Sequence, residues 1–230
     1  MSRSSVKVPG KVLAGAPISE VLLKAIRRKS DMRDRFSESS ATTGMGKMLR
    51  DLVQILDKNT ERFVLVGAAA AQAHGIGVTT EDSDILMYSR IGKATADFFK
   101  KFEHTDRTYR FRHIETREEL DVIDPVHNPS IRPRIDRIFS TAIPVHFYGQ
   151  TLPVATPEAL IAMKLAAYSS EDRDEDQRSR DESAILGLLM KGTDPNSVRK
   201  QFELPDKEEA KLQELIARLK RKRTESFYKG

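Results

Sequence analysis

The stretch from Phe63 to Met87 constrains this chain more than any other. An apolar run, Phe63-Val-Leu-Val66, stops at Gly67. An alanine-rich run to Ala73 follows, then a Gly/Thr loop, then Asp82-Ser-Asp-Ile-Leu-Met87. This reads as a buried strand, a short helix and a second strand that opens with two aspartates one residue apart. Side chains at i and i+2 of a strand share a face. Asp82 and Asp84 are therefore expected to project together, near the start of the helix after Gly67. Two ionised carboxylates about 4 Å apart repel by roughly 4 kcal/mol at an effective dielectric near 20. A fold tolerates that most readily with a divalent cation between them. Hard oxygen donors suit magnesium, and a helix N-terminus suits a phosphate.

The flanking sequence supplies the frame. Met48, Leu49, Leu52, Val53 and Leu56 fall on one helical face, and Ile18 to Ile26 has similar apolar spacing. After the aspartates, Ser83 to Tyr88 is predicted as strand and Ala94 to Phe102 as helix. Tyr109 to Glu115 and Glu119 to Ile123 read as paired strands, and Ile143 to Tyr148 with Gln150 to Val154 as a hairpin about Gly149. Thr156 and Pro157 start a helix that runs to about Tyr168. Another helix is expected from about Asp181 to Gly192, and a charged one from Asp206 to about Arg223. The pattern predicts an α+β fold, a small mixed sheet flanked by helices with helical segments at both ends.

Composition narrows the classes. Zero cysteines exclude disulfides and thiolate metal sites and fit a cytoplasmic protein. No apolar run is long enough for a membrane span, and the basic N-terminus lacks the apolar core of a secretory signal. Formal net charge is +5, which permits nucleic-acid contact without demanding it. Basic residues crowd positions 27–35 and 218–223, which read first as solvated surface. The histidines lack zinc spacing and no G-x-S-x-G occurs, so neither a zinc centre nor a serine hydrolase has support. His74 is read as a backbone hydrogen-bonding residue with no chemistry of its own.

A strand ending in Gly, a short helix, then Thr80-Glu-Asp-Ser-Asp84 resembles the signature of polymerase-beta-type nucleotidyltransferases. Val154-Ala-Thr-Pro-Glu-Ala-Leu-Ile-Ala-Met-Lys-Leu-Ala-Ala167 looks like a second block from the branch containing the abortive-infection (AbiEii-like, type IV toxin–antitoxin) enzymes. The resemblance covers roughly residues 47–190 and implies three regions. These are a basic, partly mobile N-terminal extension over 1–46, a nucleotidyltransferase core over 47–155, and a helical C-terminal region with a basic end over 156–230.

The resemblance implies transfer of NMP from an NTP such as ATP to an acceptor, with loss of pyrophosphate, assisted by Mg2+ or Mn2+. Asp82 and Asp84 would be catalytic metal ligands. Their third partner, by the same resemblance, is Asp121 in Leu120-Asp-Val-Ile-Asp124; Asp124 stands at the strand end before Pro125, where a turn residue also fits. Gly67, Ala68, Thr80 and Lys164 would contact the nucleotide, with Lys164 either reaching it, pairing with an acid or lying along the surface. Ala68 replaces the family's second Gly or Ser, leaving only its backbone N–H, and Val78 replaces an arginine. Those departures favour the alternative of a catalytically inactive binding or regulatory module. A purely structural acid pair would instead be hydrogen-bonded to backbone or to an arginine such as Arg110 or Arg112. Implied partners are an RNA (tRNA) or protein acceptor and a cognate antitoxin.

Overall fold

The computed structural model describes residues 43–77, 82–88, 95–107, 109–171 and 173–227. The helix expected at Ile18 to Ile26, nearly all of the N-terminal extension, Val78 and Thr80 lie outside them.

Helix α1 (Gly44–Lys58) starts where the Thr43 hydroxyl accepts the Gly46 N–H at 3.2 Å. Its apolar stripe (Met48, Leu49, Leu52 and Leu56) is fully buried. The helix opens before the expected Met48 because the cap lies five residues upstream. Strand β1 (Phe63–Val66) is buried along its whole length and leads directly into α2 (Gly67–Ala73). Strand β2 (Asp82–Met87) returns antiparallel to β1.

The sheet then extends through a short helix α3 (Thr95–Phe98), β3 (Phe102–His104), β4 (Arg110–His113) and β5 (Glu119–Ile123). The region expected as one helix from Ala94 to Phe102 therefore breaks after its only described turn. The Phe98 and Phe102 rings stack at 4.4 Å, and Phe111 meets Phe98 edge-on at 5.0 Å. Phe102 opposes His113 in the ladder. An aromatic cluster thus favours a third strand where local propensity suggests helix.

Helix α4 (Ile135–Thr141), unforeseen in the sequence, precedes the hairpin β6 (Ile143–Phe147) and β7 (Gln150–Val154). The seven strands lie in the order β3-β4-β5-β2-β1-β7-β6. β2 runs parallel to β5 and β1 parallel to β7, so the sheet is mixed, as expected.

The helical region follows. Thr156 caps α5 (Pro157–Tyr168) with Pro157 in its first turn. Helix α6 (Glu175–Met190) begins earlier than the expected Asp181, because Asp174 and Gln177 form a capping box within the acidic stretch. A short α7 (Pro195–Gln201) and a long α8 (Asp206–Phe227) complete the described residues. Leu160, Ile161 and Leu165 of α5, Ile185 and Leu188 of α6 and Leu212 and Leu215 of α8 belong to the same hydrophobic core as Leu65 of β1 and Val154 of β7. No helix of the described residues is long and apolar enough to cross a membrane.

Candidate active site

The backbone register assembles the acidic residues before any side chain is considered. Val66 of β1 opposes Asp84 of β2, Asp84 opposes Asp121 of β5, and Asp121 opposes Arg110 of β4. One step along the same face, Asp82 opposes Glu119, which opposes Arg112. Because side chains alternate along each strand, one face carries these six charged groups. The intervening Ser83, Phe111 and Leu120 are completely buried on the other. The sequence pairing of Asp82 with Asp84 and the choice of Asp121 therefore put three carboxylates on adjoining positions of two neighbouring strands.

Asp124 plays a different part. Its Oδ1 accepts the N–H groups of Val126 and His127 at 2.8 and 3.0 Å, and its Oδ2 lies 2.8 Å from His127 Nδ1. It is the turn residue that the alternative reading allowed, and its carboxyl is held below the usual range despite burial by those hydrogen bonds from His127 and Val126.

Arg110 draws the acids together. Its Nε and Nη2 donate to the two oxygens of Asp121 at 2.7 and 2.8 Å, a bidentate fork. Nη2 also reaches Asp82 Oδ2 at 3.0 Å and Nη1 reaches Glu119 Oε2 at 2.8 Å. Arg112 takes the other Glu119 oxygen at 2.9 Å, and Glu119 is held below its ordinary range, first by that bond. The Asp121 hydrogen bonds raise the Arg110 guanidinium further above its already high pKa. These arginines are the structural partners considered for the acid pair, and Arg110 supplies that role to Asp82 and Asp121.

Asp84 is the exception. No hydrogen bond or ion pair reaches it among the described residues. Withdrawal from water, then the charges of Asp82 and Asp121, push its carboxyl up to about 7, against the weaker pull of Lys164 and Arg110.

Gly67 lies against Asp84. Its φ is +66°, in the left-handed region. A β-carbon there would overlap the Asp84 carboxylate. Glycine is thus required here twice over, by backbone conformation and by the acid. The N-cap of α2 is Val66, and no side chain makes the cap hydrogen bond. Ala68 contributes only its backbone N–H to that turn, as its replacement of Gly or Ser implies.

Lys164, on α5, donates to Asp181 Oδ1 of α6 at 2.7 Å, while Arg173 Nε stands 3.6 Å from Asp181 Oδ2. Pairing with an acid, one of the alternatives for Lys164, is what occurs, and the lysine is also close enough to act on Asp84. Asp181 is 4% exposed and its Oδ2 has no hydrogen bond. Sequence reasoning missed Asp181 because the partner lies on another helix. It also missed Glu119, although Glu119-Leu-Asp121 repeats the i, i+2 acid spacing of Asp82-Ser-Asp84. His74 donates from Nε2 to the Ala155 carbonyl at 2.7 Å, the backbone role expected of it.

The donor set suits a hard divalent ion in its chemistry, with three carboxylates on one face and no competing nitrogen or sulfur donor among the three. Among the described residues, no three acidic or imidazole groups are drawn into a ready-made ion cage. Both oxygens of Asp121 and one of Asp82 face Arg110 instead.

No protein-family model and no curated protein matches the chain. Among solved structures, it is similar to an antigenic nucleotidyltransferase-like protein from Paracoccidioides brasiliensis. The TM-score is 0.50 and the identity 21%, over 76% of this chain and 86% of that one. It is also similar to the antibiotic-resistance factor ANT(2'')-Ia, with a TM-score of 0.44 and 12% identity over 78% of this chain and 96% of that one. The first likeness is one of fold. The mixed sheet and its flanking helices have the nucleotidyltransferase-like architecture.

Proposed function

We propose that this chain is a metal-dependent nucleotidyltransferase that moves NMP from an NTP to an acceptor hydroxyl. The observation that carries this reading is the row Val66–Asp84–Asp121, with Asp82 beside it and the Gly67 turn closed over Asp84. Nucleotidyl transfer needs anionic ligands and a close backbone approach at one place, and the row supports both. The nucleotidyltransferase-like fold is consistent with it.

In this reading the backbone N–H groups of Gly67 and Ala68 receive phosphate oxygens, because no side chain caps that turn. Thr80 would contact the nucleotide, as the resemblance implies. Lys164 faces the same site, held by Asp181, and offers its charge to the phosphates. Asp82, Asp84 and Asp121 would hold magnesium or manganese, which offsets charge on the triphosphate and leaving group when bound. The α-phosphorus forms a bond to the acceptor oxygen and the α–β anhydride bond breaks. Pyrophosphate leaves with the electron pair, and the hydroxyl proton passes to solvent. The protein contributes chiefly position and charge.

The resemblance to abortive-infection enzymes favours a tRNA end or a protein hydroxyl as acceptor, ATP among the donors, and a cognate antitoxin as partner. A catalytically inactive nucleotidyltransferase-fold module is the second reading, favoured by the Arg110 pairing of Asp82 and Asp121 and by Ala68.

The test is incubation of purified protein with each α-32P-labelled NTP and magnesium, with tRNA and cell protein as acceptors. Label on either acceptor, lost in Asp84→Asn, is the expected result. No label with any nucleotide, with magnesium or manganese, sinks the catalytic reading in favour of the binding module.

A further inference from the structure

Arg110 sits where a cation shared by the acids has to act. Its guanidinium is a single positive charge in contact with Asp121, Asp82 and Glu119 at once, and every one of its nitrogens donates to a carboxylate. Its position follows from the sheet register, since Arg110 stands directly across from Asp121. The arrangement leaves neither oxygen of Asp121 free of the arginine. Asp84 stands one strand further on, untouched by the clamp.

We infer that Arg110 is a built-in counter-ion that competes with a divalent cation for Asp121 and Asp82, so that cation entry requires the guanidinium to leave Asp121. This rests on the nucleotidyltransferase reading above. The exit is prepared: the side chain is 19% exposed, and Nη1 is tethered to Glu119, whose other oxygen is held by Arg112. An arginine that gives up Asp121 therefore remains beside the site on Glu119. A freed guanidinium fork matches phosphate oxygens as well as it matches a carboxylate. One side chain would then hold the acids together in the nucleotide-free protein and grip the triphosphate in the loaded one.

The competition is read without nucleotide, so its failure is distinct from failure of the labelling experiment. Manganese is titrated into the full chain and free Mn2+ is followed by electron paramagnetic resonance. Arg110→Gln removes the competing charge and is expected to tighten Mn2+ binding by about tenfold or more over wild type, a factor set by a single lost charge contact. Arg110→Lys keeps the charge but cannot fork, and is expected to fall between the two. Adding Asp121→Asn to Arg110→Gln should remove the gain, which locates the ion at the clamped acid. If Arg110→Gln does not fold without metal, Arg110→Lys carries the comparison. Equal Mn2+ affinity in wild type and the folded Arg110 variants, whether tight or undetectable, overturns the inference. So does a gain that survives Asp121→Asn.

Discussion

A β-carbon on Gly67 would fall on the carboxylate of Asp84. The glycine that ends β1 and the acid facing it from β2 are thus one unit, in which the close approach of backbone to carboxylate is itself a packing constraint. A phosphate path alone would predict that Gly67→Ala spares the fold. The left-handed φ and the overlap predict otherwise.

Gly67→Ala is expected to destabilise the fold by about 2–4 kcal/mol, combining the backbone cost of a side chain at positive φ with that of overpacking. Urea unfolding of the single variant and of Gly67→Ala with Asp84→Gly separates the two terms. Removing the Asp84 side chain abolishes the overlap, so the double variant should recover part of the loss by non-additivity. Strictly additive costs would mean that Gly67 and Asp84 are energetically independent.

The raised Asp84 carboxyl gives a pH dependence with a definite sign. Its ordinary value is 3.8 and its folded value about 7. The folded state therefore binds this proton more tightly than the unfolded state, and stability falls as pH rises between the two values. Below about pH 4 the group costs nothing, and above about pH 7 the full penalty of ionising it applies. Asp84→Asn should match wild type at the acid end of this window and melt higher than wild type at pH 8, in metal-free buffer. A melting-temperature difference that is flat or shrinks with rising pH contradicts the assignment.

The Lys164–Asp181 pair predicts an asymmetry. Asp181 is 4% exposed and Lys164 is 18% exposed, so removing the lysine strands the more deeply buried charge. Lys164→Met is expected to cost about 3 kcal/mol, at the lower edge of the range for breaking a buried pair. Asp181→Asn should cost less, about 1–2 kcal/mol, because the lysine ammonium can turn toward water. Chemical denaturation of both variants checks the order. A costlier Asp181→Asn would mean that Arg173, 3.6 Å away, cannot be left without its acid.

Strand-borne features of the site were legible because strand periodicity is local. Asp82-Ser-Asp84 and Arg110-Phe-Arg112 each declare a polar face and a buried one within three residues, and the structure keeps both. Which arginine meets which acid was not legible, because it depends on the order β4-β5-β2 and a register that only tertiary pairing fixes. Lys164 was visible as a lysine on an apolar helix, but its partner Asp181 lies across the α5–α6 contact. The start of α6 was misplaced for a related reason. Within Glu171 to Asp176 several acids follow one another, and only the capping box of Asp174 with Gln177 singles out the helix start. The Phe98, Phe102 and Phe111 cluster likewise overrode helix propensity with a contact between distant residues.

Asp84 and Asp121 are neighbours in register with opposite electrostatic surroundings, so the same substitution should move their stabilities in opposite directions. Asp121 accepts two hydrogen bonds from Arg110 and its side chain is 11% exposed. Asp121→Asn weakens both and leaves the guanidinium short of a counter-charge, at an expected cost of about 1–3 kcal/mol. Asp84→Asn removes an unpaired charge that two other carboxylates repel, and should hold or raise stability at pH 8. Asp82, which shares one oxygen with Arg110 and is 33% exposed, should fall between them. In the labelling assay all three substitutions are expected to abolish transfer, because each removes an oxygen ligand from the proposed cation site. Melting curves beside the activity of each variant make the distinction. Three variants that lose activity only in proportion to lost stability would identify a structural acid cluster, and an Asp84→Asn that is inactive yet more stable than wild type identifies a catalytic one.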